Sequence, residues 1–92
     1  MRVARYFFHV YDESGFVEDE EGRELDGLPT VRTQAIKGAR SIMMEEVRYG
    51  RLDLRGRIEI VDDEGRPVLI LPFSEAVEVI EGDLPETDPD RP

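Results

Sequence analysis

The 92-residue sequence contains no cysteine, which removes disulfides, thiolate metal sites and cysteine nucleophiles together. That absence fits a reducing compartment, and a cytoplasmic location is expected. Histidine occurs once, at His9, so a general base working near neutral pH has one natural candidate and a metal would lack a second ring nitrogen. Basic residues are outnumbered, 12 Lys and Arg against 22 Asp and Glu, giving a formal net charge of -10. Nonspecific affinity for a phosphate backbone is therefore disfavoured, and direct nucleic-acid binding is not expected. No apolar run is long enough for a membrane span or a secretory leader, and neither is expected. The glycines form no G-x-G-x-x-G or phosphate loop, and no serine sits in a G-x-S-x-G turn, so no nucleotide cofactor is expected.

What is present begins with one long amphipathic stretch, Leu28 to Tyr49. At 100° per residue, Leu28, Val31, Ala35, Ile36, Ala39, Ile42, Met43 and Val47 share one side of a cylinder, with Lys37, Ser41, Glu45 and Arg48 opposite. The pattern predicts a helix of roughly 30 Å, long enough to cover one face of a small sheet. Pro29 suits its first turn and Gly50 the left-handed position past its end, while Asp26, Gly27 and Thr30 compete as the N-terminal cap.

Short β-like runs flank this helix. Arg5 to Tyr11 is aromatic and β-branched, with Tyr6, Phe8 and Val10 on one face and Phe7, His9 and Tyr11 on the other. Phe16 and Val17 can return as a short strand after the turn Asp12–Gly15. Arg57 to Val61 alternates like a half-buried strand, Asp62–Gly65 reads as a turn, and Val68 to Phe73 is apolar on both faces. Ala76 to Ile80 reads as a last strand or a turn of helix. The expected fold is α+β in the order β-β-α-β-β: a small, mostly antiparallel sheet of four or more strands with one long helix on one face. Residues 1–80 form the single domain, and 81–92 form an acidic, proline-rich tail expected to be disordered. Strands apolar on both faces are usually interior, so Arg5–Tyr11 and Val68–Phe73 are placed inside the sheet and Arg57–Val61 outside.

Three groups of residues carry a resemblance: Arg5-Tyr6-Phe7-Phe8-His9 at the start, Asp19-Glu20-Glu21-Gly22 with Glu24-Leu25 before the helix, and Pro72-Phe73-Ser74 with Ala76-Val77 near the end. Together they resemble a family of short bacterial proteins known as a domain of unknown function, number 6894, over nearly the whole domain. The helix opens here on Gly27-Leu28-Pro29 in place of the Asp-capped, Ala-rich opening of that family. The resemblance implies no activity, cofactor or catalytic residue.

Function must therefore be read from the chemistry of the chain. His9 is more economically a structural residue of an aromatic strand than a catalyst, having no recognisable nucleophile at a fixed spacing. The acids Asp12, Glu13, Glu18, Asp19, Glu20 and Glu21 lack a calcium-loop spacing and read as solvated turns, so no metal is expected. The informative feature is an excess of apolar surface, since one helix covers one sheet face and two strands are apolar on both. The second face must be covered by Ala76–Ile80, by a second copy or by another protein. The reading is a non-catalytic interaction or regulatory module acting as a homodimer. Its candidate interface is Phe7, His9 and Tyr11 with Leu69, Leu71 and Phe73, or with Val68 and Ile70 in the other register. An acidic mimic that binds a basic protein surface is the runner-up, and a small enzyme using His9 a distant third.

Overall fold

A computed structural model describes residues 3–85. Among them are five strands and one long helix: β1 (Ala4–Asp12), β2 (Gly15–Val17), β3 (Arg23–Leu25), α1 (Leu28–Arg48), β4 (Arg57–Asp62) and β5 (Pro67–Pro72), followed by a 3₁₀ turn at Phe73–Glu75. The class is α+β as expected, with one more short strand before the helix than the pattern predicts. The expected tail is described as far as Pro85, without regular secondary structure, and its residues 86–92 lie outside the described ones.

The sheet is built on β1, whose one edge pairs antiparallel with β4 while its other edge is shared by β2 and β3. The order is β2-β1-β4-β5, with β2 on the last residues of β1, Val10 to Asp12, and β3 on the same edge at its first, Ala4 to Tyr6. Interior and outer positions of the last two strands are thus the reverse of those expected, since β4 is inside and β5 at the edge. The alternation of Ile58 and Ile60 with Glu59 reports which face of β4 meets the helix, and says nothing of whether both its edges are paired. Nor does β5 owe its two apolar faces to central pairing. Opposite Val61 and Ile60 stand Pro67 and Leu69, so Val68 is an extra residue and the strand carries a bulge.

The helix packs on the face that bears Phe8, Ile58, Ile60 and Leu71, and offers them Val31, Ala35, Ala39 and Met43. These four helical residues are spaced by four and form a single buried stripe. Small residues in its middle let the helix lie close to the sheet. At its start Gly27 is the cap and supplies no side-chain bond, but its carbonyl accepts from the Val31 N–H at 3.0 Å. At its end the Gly50 N–H donates to the Val47 carbonyl and the Arg51 N–H to that of Glu46, a closing pair that requires the φ of +81° at Gly50. Beyond β5, Phe73 and Ala76 close the core. Arg40 Nε donates to the Ala76 carbonyl at 2.7 Å and ties this last segment to the helix. Ala76–Ile80 therefore runs on the helix side, and among the described residues nothing covers the other face of the sheet.

Candidate functional site

The bare face follows from the register. Phe7 stands opposite Val61, His9 opposite Glu59 and Ile70 in turn, and Tyr11 opposite Arg57 and Pro72. On the other side of β1 the two-residue turn Glu13-Ser14 brings Phe16 opposite Tyr11. Their ring centroids are 4.6 Å apart, and Phe16 also meets the His9 ring edge-on at 5.5 Å. The Arg57 guanidinium lies 4.3 Å over the Tyr11 ring, and its Nε donates to Glu59 at 2.6 Å. Phe7, His9 and Tyr11 are half-buried by these neighbours, while Phe16 and Ile70 remain 49% and 54% exposed. The result is a continuous aromatic and aliphatic surface crossed by one ion pair.

Its two ends differ in charge. Beyond Phe7 and Val61 a depression is rimmed by Glu18, Glu20, Asp62 and Asp63. Beyond Tyr11 and Phe16 stand Arg55 and Arg57 with Asp12 and Glu13. Arg55 lies against Asp53, whose carboxyl is held far below its ordinary range first by the Arg55 side chain and then by the Arg55 N–H.

His9 is fixed by the loop between β2 and β3. Its Nδ1 accepts the Asp19 N–H at 3.0 Å. The Asp19 carboxylate in turn accepts the Phe8 N–H at 3.0 Å, and the Gly22 and Glu21 N–H groups at 3.1 and 3.3 Å. One side chain thus fills the stretch of β1's edge that neither β2 nor β3 reaches. Partial burial pushes the Asp19 carboxyl up, but those three N–H donors and the Arg23 charge together outweigh it and hold the group below its usual value. A neutral imidazole has one donor and one acceptor nitrogen. With Nδ1 accepting, the neutral ring carries its proton on Nε2.

Of the six residues expected at the interface, Phe7, His9 and Tyr11 share the bare face and Leu69, Leu71 and Phe73 do not. Leu71 and Phe73 are 0% exposed in the core, and Leu69 faces the helix opposite Ile60. The reason is the bulge at Val68. Counted back from the Val61–Pro67 pair without it, Leu69 would stand opposite Glu59 and every odd-numbered residue of β5 would face out. One extra residue flips the strand and brings Ile70 there instead. Phe16 was missed as an interface residue although the two-residue turn signals its place, since Asp12 and Gly15 then pair and Phe16 falls opposite Tyr11.

Among the described residues no group of three or more His, Asp or Glu is placed to hold a metal ion, and no helix is long and apolar enough to cross a membrane. Asp12, one of the acids weighed as a cation ligand, accepts the Ser14 N–H at 2.8 Å and closes the turn. Neither a curated protein nor a solved structure matches the chain. A family model does, the domain of unknown function DUF6894, over residues 5–74, a span from the start of β1 through the first residues after β5. The chain belongs to that family.

Proposed function

We propose that this domain is a non-catalytic protein-interaction or regulatory module that acts as a homodimer through the bare sheet face. The observation that carries the reading is the unbroken run of Phe7, His9, Tyr11, Phe16 and Ile70 on a face that none of the described elements covers. Removing one large apolar side chain from water contributes about 1.5–3 kcal/mol, so a handful of such residues can offset the cost of association. A two-fold axis through the face also lays the acidic end of one copy over the arginine-bearing end of the other, which favours that orientation over a parallel one. Light scattering at micromolar concentration should give at least twice the 10.6 kDa chain mass. Tyr11→Glu, which puts a charge among the apolar side chains of the face, should lower it. A wild-type monomer at every concentration would refute the reading.

A second reading, an acidic surface that imitates nucleic acid to a basic protein, draws on the carboxylates of Glu18, Glu20, Asp62 and Asp63 around one depression. It requires that Asp62→Lys with Asp63→Lys abolish binding to a basic nucleic-acid-binding protein. It also requires that added nucleic acid compete for the same partner.

A further inference from the structure

The helix layer carries a separate apolar surface. The last turns of α1 present Met44 and Val47, the following loop adds Leu52, and Val79 and Ile80 form the opposite wall of a groove of about 560 Å³ floored by Met43 and Val77. Ile80 is 82% exposed and Met44 66%, so a stripe of aliphatic surface faces solvent on the side of the molecule away from the bare sheet face. The two walls differ in charge. Arg40 stands on the helix wall and Glu78 on the other. Among the described residues Arg40 and Glu78 form no ion pair. Arg40 spends its Nε on the Ala76 carbonyl.

We propose that this groove is a self-association site occupied by the same groove of a second copy, with Ile80 of each chain entering between Met44 and Leu52 of the other. Copies of a chain with net charge -10 repel one another, so a homotypic contact forms where opposite charges can be brought together. A two-fold axis along this groove does that, setting Glu78 of one copy against Arg40 of its mate, and the reverse. Parallel stacking would set like against like. Methionines at the floor suit the contact because their unbranched, polarizable side chains fill irregular gaps. The pairing uses none of the residues of the bare sheet face, and the two surfaces can be engaged at once.

The experiment measures mass against concentration by light scattering or sedimentation for the wild type, Tyr11→Glu, Ile80→Glu and the double variant. Circular dichroism checks that each is folded, and Ile80 is exposed enough to change without touching the core. With the sheet face disabled, Tyr11→Glu should still show a monomer–dimer equilibrium, and adding Ile80→Glu should leave a monomer throughout. Glu78→Arg in the Tyr11→Glu chain should weaken that equilibrium at least tenfold, with a smaller effect in high salt. A Tyr11→Glu chain that is monomeric at all concentrations overturns the proposal, as does one whose mass is unchanged by Ile80→Glu. Failure of the sheet-face reading looks different, because the wild type and Tyr11→Glu would then have equal masses.

Discussion

Gly56→Ala should be among the most damaging single-methyl changes this domain can receive. Gly56 is buried just before β4, and a β-carbon there would lie 2.8 and 2.9 Å from Cδ2 and Cζ of Phe73 and closer still to its Cε2. Carbon atoms prefer about 3.5–4.0 Å, so the ring must move by most of an ångström. It has little freedom to do so, being 0% exposed, packed against α1, and tied by its own N–H, which donates to the Gly56 carbonyl at 2.9 Å. Overpacking of a core costs about 1–3 kcal/mol and at times more, and the rigidity of both partners puts this case at the upper end, about 3 kcal/mol. In a domain of this size that is a fall in Tm on the order of 10–20 °C. Urea unfolding followed by circular dichroism would show a lower midpoint with an unchanged slope. The decisive control is Phe73→Leu, which costs stability alone by leaving a cavity but makes room for the added methyl. The double variant should therefore lose clearly less than the sum of the two single losses. A Gly56→Ala protein within about 0.5 kcal/mol of the wild type, or strict additivity in the double variant, would refute the argument.

The other glycine within the packed layers should answer with the opposite sign, because a β-carbon on Gly38 would meet only Ile58 Cδ1 at 3.5 Å. Gly38→Ala should raise the unfolding free energy, read from urea titration, by up to about 1 kcal/mol from helix propensity alone. Leu71→Ala should cost about 2–5 kcal/mol and Ile70→Ala less than about 1, and a reversal of that order would put the bulge at the wrong place in β5. Asp19→Ala leaves the Phe8, Glu21 and Gly22 N–H groups without their acceptor and should cost about 2 kcal/mol. Because the Asp19 carboxyl titrates below its ordinary value in the fold, this contribution is fully present above the unfolded value of about 3.9 and fades as pH falls below it. Urea midpoints of wild type and variant should thus converge on acidification, and a gap that widened instead would contradict the assigned role.

The helix was legible because its pattern is long and punctuated. Val31, Ala35, Ala39 and Met43 keep one spacing over four turns, and Pro29 and Gly50 stand at the ends the structure shows. Ile36 and Ile42 lie at the margin of that stripe and are only half-buried. Both hairpin turns were visible in composition. What escaped was decided between elements. Arg23-Glu24-Leu25 pairs with β1 for three residues at an exposed edge and has no alternation to betray it. The bulge at Val68 reverses a face without altering the composition of β5. Proximity of Gly56 to Phe73 arises only when the chain returns past the end of β4. For the bare face, β1 itself announced Phe7, His9 and Tyr11, whereas Ile70 depended on a register that no residue of β5 encodes locally.

One feature of the sheet bears on how the protein behaves when crowded. A strand with a free side is a template on which further chains can add, and apolar strands such as Arg5–Tyr11 and Val68–Leu71 are the kind that seed runaway stacking. Here the free side of β5 is bracketed by Pro67 and Pro72 and twisted by an extra residue after the first of them. The opposite border is broken into two three-residue strands with the Asp19 carboxylate between them. Neither border offers an incoming strand more than a few residues of uninterrupted ladder. Chains of this domain can therefore meet broadside without lengthening one another's sheets, so contact through a face stays distinct from strand addition at a border.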